Sequence, residues 1–158
     1  MKLALPVGLV ILALDQATKL LALSRLSLGV PVSVVDGLFA LILVMNPGLA
    51  FGILGAVPPG WRWVVALLSL AALCALAFLA ARLLPGGGWP AALALGLIFG
   101  GAVGNLIDRW RFGAVVDFID VYWRGYHWPA FNVADSAISI GVALLALRLV
   151  TGNAPRPA

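Results

Sequence analysis

Two stretches of this chain carry no charge over lengths that match a lipid bilayer, and they constrain its fold more than any other feature. Trp63–Ala81 lies uncharged between Arg62 and Arg82, and Trp89–Ile107 runs uncharged up to Asp108-Arg109. About 20 apolar residues in a helix cross the hydrocarbon core. There the backbone must satisfy its own hydrogen bonds, so only helices and closed barrels can span. The "PGGG" at 85–88 separates the two stretches with strong helix breakers. Phe131–Val150 makes a further span, with Asp135 just inside its start and Arg148 near its end. The N-terminal "MKLALPVGLVILALDQATKLLAL" looks like a secretory signal, with Lys2 ahead of an apolar run. No small-x-small cleavage site follows and the apolar pattern resumes after Lys19, so this segment is read as a retained span.

The expected fold is a mainly α membrane protein of one domain over residues 1–158. Four transmembrane helices are placed at about 4–24, 61–84, 89–108 and 131–150. An even number of spans puts both termini on one side. Residues 29–56 form the surface β region. Valines at its start, the Asp36-Gly37 turn signal and Asn46-Pro47-Gly48 predict short strands, and "LFALILVM" is too short to span. A small β-sheet at the membrane surface between helices 1 and 2 is expected, with Phe39, Leu41 and Leu43 on one apolar face; a re-entrant segment is the alternative.

Composition agrees: 63% of residues are hydrophobic and 10% charged, against about 25% charged in soluble domains. A net charge of +4 without a basic cluster excludes a nucleic-acid reader and suits contact with membrane lipids. Cys74 is the single cysteine and cannot form an internal disulfide. Lys2, Arg82, Arg148 and Arg156 fall on one side, and Arg25, Arg62, Arg109, Arg111 and Arg124 on the other, so charge does not orient the chain.

The few polar residues in the spans are regularly placed. Asp15 and Lys19 are i,i+4 and share a face, either as a local ion pair or as part of a site. An unpaired charge at bilayer depth costs roughly 2.5–3.5 kcal/mol, so pairing or use is required. Gly96, Gly100 and Gly104 make one smooth strip that continues to Asp108; Gly101, Asn105 and Arg109 make a second beside it. Glycine strips serve close helix packing. The polar residues at their ends suit hydrogen bonding to irregular loops or to a substrate backbone. Asn132 and Asp135 are i,i+3 at the opening of the last span, where an N-cap and an acid are both favoured.

Asp117 lies just beyond the third span and Asp135 just inside the fourth, so antiparallel helices joined by a loop bring them to one membrane face. Two close carboxylates cannot both ionise, and one keeps a proton. One can then deprotonate a water while the other protonates a carbonyl oxygen, as peptide hydrolysis requires. No Ser/His/Asp or Cys/His set competes. The only histidine, His127, sits among Tyr126, Trp128 and Pro129 like an interfacial aromatic. No metal site and no cofactor are expected. The same two aspartates also fit a proton relay or a cation site in a small transporter.

The segments "DQATK" (15–19), "NPGLAFG" (46–52), "GGAVGNLIDR" (100–109), "VVDFID" (115–120) and "FNVADSAI" (131–138) together resemble the motif blocks of lipoprotein signal peptidase (signal peptidase II), in the family's order and over nearly the whole chain. No polar motif position departs from the pattern. The resemblance implies an aspartyl peptidase of the bacterial inner membrane, multi-pass, with cytoplasmic termini, a periplasmic sheet and an active site near the periplasmic face. It implies Asp117 and Asp135 as the catalytic pair, with Asp15, Lys19, Asn46, Gly48, Asn105, Asp108, Arg109 and Asn132 as supporting positions. The implied substrates are diacylglyceryl-modified prolipoproteins cut before the lipidated cysteine, and the implied inhibitors are of the globomycin type. A presenilin-like intramembrane protease would need a Gly-x-Gly-Asp element, and "GAVGN" lacks the acid.

Overall fold

The computed structural model describes residues 2–48, 62–83 and 88–152. The apolar runs are helical: α1 Ala4–Arg25, α2 Arg62–Leu83, α3 Gly88–Phe112 and α4 Val133–Gly152. Pro6 and Pro90 both fall in first turns, where a missing N–H removes no helical bond. Among the described residues, α1 and α3 are the helices long and apolar enough to cross a membrane, and Trp63–Phe78 of α2 is a shorter apolar helix.

α3 is the axis of the molecule, with α1, α2 and α4 all packed on it. The two glycine strips explain how two helices approach it so closely. A Cβ at Gly96 would lie 2.7 Å from the Ala4 carbonyl, and one at Gly100 would lie 2.5 Å from the Gly8 carbonyl. One at Gly104 would collide with the Asp15 carboxylate. Contacts advance together along both chains, so α1 and α3 run parallel. The second strip faces α4: a Cβ at Gly101 would lie 2.5 Å from the Ala134 carbonyl, and Gly141 of α4 packs on Ala94 and Ile98. α4 therefore runs antiparallel to α3. These contacts put the C-terminal ends of α1 and α3 and the N-terminal end of α4 together at one end of the bundle. The outer faces of α1 and α2 are apolar and bare, with Leu5, Leu9, Leu14, Trp63, Leu67 and Phe78 all exposed. That pattern suits lipid rather than water as the surrounding medium.

The sheet differs from expectation. β1 (Val32–Val35) and β2 (Phe39–Asn46) form a hairpin, with Gly37 at positive φ in the turn. The segment between α3 and α4 is also strand: β3 (Val115–Trp123) and β4 (Tyr126–His127) extend the same antiparallel sheet in the order β1-β2-β3-β4. The sheet is thus built from the α1–α2 and α3–α4 connections, rather than only the one between the first two helices. The connection expected as a loop between the two aspartates is its most buried strand, with Val115, Val116, Asp117 and Phe118 all covered.

The single apolar face of Phe39, Leu41 and Leu43 does not form. β2 carries one extra residue between Leu41, opposite Ile119, and Val44, opposite Asp117. This bulge breaks the alternation, so Ala40 and Leu43 are buried while Phe39 and Leu41 are partly exposed. The fourth helix begins at Val133, not at 131, because Phe131 bridges to Ile119 and Asn132 is the cap. The third runs on past 108 to Phe112. The far part of the expected β region, 49–56, lies outside the described residues.

Candidate active site

The polar residues of α1, α3, β2, β3 and α4 meet at the shared end of the bundle. Lys19 is 2% exposed, and its ammonium has three donors and three partners. It lies 2.9 Å from Asp15 Oδ2 and 2.7 Å from Asp108 Oδ2, and donates to Asn105 Oδ1 at 2.9 Å. Asp15 Oδ1 accepts from the backbone N–H of Ala134 at 3.0 Å, and Asp108 Oδ2 from that of Val116 at 3.1 Å. One buried ion cluster therefore fastens the first turn of α4 and the start of β3 to the α1–α3 pair. Removing one partner from such a cluster costs about 3–5 kcal/mol, because the others stay charged and buried.

Asn132 caps α4. Its Oδ1 accepts from the Asp135 N–H at 2.9 Å, and Asp135 Oδ2 accepts from the Asn132 N–H at 3.3 Å, a reciprocal capping box closed by an aspartate. With its oxygen committed to the cap, Asn132 turns Nδ2 to Asp117 Oδ1 at 2.7 Å. Asn105, whose oxygen faces Lys19, donates through Nδ2 to Asp135 Oδ1 at 2.8 Å. Asn46 Nδ2 donates to Asp117 Oδ2 at 3.0 Å, while its Oδ1 accepts from the Gly48 N–H at 3.0 Å in an Asx turn. Arg109 Nη2 donates to the Gly48 carbonyl at 3.0 Å and Nη1 to that of Asn105 at 3.3 Å; among the described residues its buried Nε has no partner.

Asp117 and Asp135 are thus held by neutral amides, and among the described residues neither forms an ion pair. Burial pushes the Asp117 carboxyl up to about 7, and the neighbouring Asp135 charge pushes the same way against the Asn46 and Asn132 hydrogen bonds and Lys19. A carboxyl so placed exchanges its proton near neutrality. Both aspartates line one cavity of about 790 Å³, together with Asn46, Asn105 and Arg109 at its polar end. The rest of the cavity is apolar or small: Leu68, Ala72 and Leu76 of α2, Ala102 of α3, and Ser136 and Ser139 of α4. It lies between α2 and α4 with α3 as its floor. Among the described residues no group of three or more His, Cys, Asp or Glu could hold a metal.

All ten residues singled out in the sequence belong to this constellation. Two contributions escaped the sequence reading. Gln16 Nε2 lies 3.2 Å from Asp15 Oδ2, 3.1 Å from Asp108 Oδ1 and 3.3 Å from the Gly104 carbonyl, tying α1 to α3 beside the ion cluster. Its place inside "DQATK" was the available signal. His127 Nδ1 lies 3.0 Å from Asp120, and its ring stacks on Tyr122 at 4.8 Å, so it braces the β3–β4 hairpin.

Comparison with known proteins bears on the same residues. The family model described as signal peptidase (SPase) II matches residues 7–151. The lipoprotein signal peptidase of Geobacter metallireducens is 50% identical over 139 residues, covering 88% of this chain and 85% of that relative. That of Geobacter sulfurreducens is 48% identical over 141 residues, covering 88% and 86%. A solved bacterial membrane enzyme, determined by the in meso method, superposes with a TM-score of 0.79 at 29% identity, covering all of this chain and 94% of that one. A second, determined the same way, gives 0.76 at 30% identity, covering 94% and 93%. With a family match over nearly its whole length and a polar site built from the residues of every motif block, the chain belongs to the signal peptidase II family.

Proposed function

We propose that the protein removes signal peptides from diacylglyceryl-modified prolipoproteins, cleaving before the lipidated cysteine, with Asp117 and Asp135 as its catalytic pair. Family membership makes it a protease. The observation that carries the residue assignment is that these two carboxyls share one cavity, are held among the described residues by amide donors, and include one lifted to about 7. One carboxyl, ionised, takes a proton from water as the water oxygen attacks the scissile carbonyl carbon. The other, protonated, gives its proton to the carbonyl oxygen. Collapse of the gem-diol breaks the C–N bond: the carboxyl that gained the water proton passes it to the leaving amine, and one gem-diol hydroxyl returns its proton to the other carboxylate, restoring the starting pair. Asn46, Asn105 and Asn132 fix the carboxyl orientations, and Arg109 holds the Gly48 carbonyl at the cavity rim.

The apolar length of the cavity between α2 and α4 suits a signal helix lying beside the acids, while the substrate's acyl chains hold the cysteine at the interface. In this reading the chain crosses the bacterial inner membrane four times with cytoplasmic termini, and the site lies near the periplasmic face. Two further helices of apolar sequence, α2 and α4, support it. Globomycin-type cyclic peptides would compete for the same cavity.

The test is purified protein with a prolipoprotein peptide, read by mass spectrometry. Each buried CH₂ contributes about 0.8 kcal/mol of membrane affinity, so the diacylglyceryl peptide should be cut before its cysteine and the unlipidated peptide far more slowly. Equal rates for the two would indicate a general intramembrane protease.

A further inference from the structure

The β3–β4 hairpin ends in a tip that the peptidase chemistry does not use. Trp123 pairs with Tyr126, leaving Arg124 and Gly125 as a two-residue turn with φ of 53° and 81°. Turns with positive φ at both central residues favour Asn-Gly or Gly-Gly, and an arginine at the first position is disfavoured. Arg124 is therefore not there for the turn. Its guanidinium stacks on the Trp123 ring at 4.5 Å, and among the described residues it pairs with no carboxylate. Among the described residues no hydrogen bond from its N–H groups is formed, which leaves them available to an acceptor.

The tip is also unusually aromatic for a surface. Trp123 is 61% exposed and Tyr126 84%. The C-terminal end of α3 repeats the pattern, with Trp110 75% exposed and the Arg111 guanidinium 4.8 Å from the Phe112 ring centroid. Trp110, Arg111 and Phe112 lie in the last turn of α3, where that helix would leave the bilayer, and the hairpin belongs to the connection from there to α4. Large bare aromatics with guanidinium groups suit headgroup depth, where tryptophan and tyrosine are enriched. A guanidinium matches a phosphate bidentately.

We propose that Trp123, Arg124 and Tyr126 form a docking element for the phosphate headgroups of anionic phospholipid. Residues 128–131 lead from this hairpin along the cavity wall to the Asn132 cap, with the Trp128 and Phe131 N–H groups bonded to the Val121 and Ile119 carbonyls of β3. The proposal does not depend on which residues cut the peptide bond.

The full chain, with Cys74→Ser and a fluorophore on Val121→Cys, an exposed position of the same hairpin outside the docking set, is reconstituted in vesicles of phosphatidylcholine alone or with phosphatidylglycerol. Quenching is compared between a headgroup spin-labelled phosphatidylglycerol, its phosphatidylcholine counterpart and aqueous iodide. Preferential quenching by the anionic lipid is expected, falling about fivefold in Arg124→Gln and retained in part by Arg124→Lys. Circular dichroism of each variant confirms folding. Equal quenching by both lipids, or no effect of Arg124→Gln, would overturn the headgroup assignment. Dominant iodide quenching would place the tip in water, as a surface for a soluble partner, and would overturn the proposal entirely.

Discussion

Asp117 sits opposite Val44 in a strand pair, yet its carboxyl faces the cavity that Asp135 enters from the first turn of a helix. Each is oriented by an asparagine whose amide has only one workable direction. Asn105 must point its oxygen at Lys19, which only donates, and Asn132 must point its oxygen at the Asp135 N–H. Two predictions follow at this scale. The raised Asp117 pKa means the folded state holds that proton more tightly than the unfolded chain. The stability from this group is therefore full below about pH 4 and is lost as pH rises to about 7, by no more than about 4 kcal/mol. Thermal unfolding in detergent should show the gap between wild type and Asp117→Ala narrowing over that window; a constant gap would mean that Asp117 does not titrate there. Lys19→Met should leave Asp15 and Asp108 buried without a cation, costing about 3–5 kcal/mol by the same measurement.

Among the elements, α3 does the most positioning, and its glycines make the clearest contrast. Gly101→Ala places a methyl against the Ala134 carbonyl, one residue from Asp135. Gly141→Ala crowds Ile98 and Ala94 farther along the same helix pair. Overpacking of this kind costs about 1–3 kcal/mol in either case. Only Gly101→Ala should also reduce turnover about a hundredfold, because it displaces the acid-bearing turn by a fraction of an ångström or more. Equal activity losses in the two variants at matched stability would contradict this. The helices and glycine strips were legible because bilayer-length apolar runs and four-residue spacing survive any tertiary context. β3 was not, because it is covered on both faces and "VVDFIDVYW" shows no period-two alternation. Its partner β2 also lies some 70 residues away in sequence. The bulge in β2 leaves no mark in "FALILVMN" at all. Gln16 was hidden for a related reason: two of its bonds join residues 88 and 92 positions apart.

For the whole molecule, orientation is the property least written in composition. Arg109, which weighed against cytoplasmic termini in the charge count, is held by the Gly48 and Asn105 carbonyls inside the site, so it is not a loop charge at all. Cysteines placed at Lys2 and Pro157 in a Cys74→Ser background should resist membrane-impermeant reagents in intact cells. Labelling of either from outside would reverse the topology. Chelators should leave cleavage unchanged, since the proposed chemistry is carried by carboxyls alone; loss in EDTA with rescue by a divalent ion would contradict it.

The central claim is that Asp117 and Asp135 divide the acid and base work of one hydrolysis. Asparagine keeps the shape of each side chain but cannot exchange the required proton. Purified Asp117→Asn and Asp135→Asn, reconstituted beside wild type and given the diacylglyceryl peptide, are read by mass spectrometry for the product that begins at the lipidated cysteine. The account predicts that each variant loses at least about a hundredfold in rate while remaining folded. Near-normal turnover by either one would remove that aspartate from the mechanism.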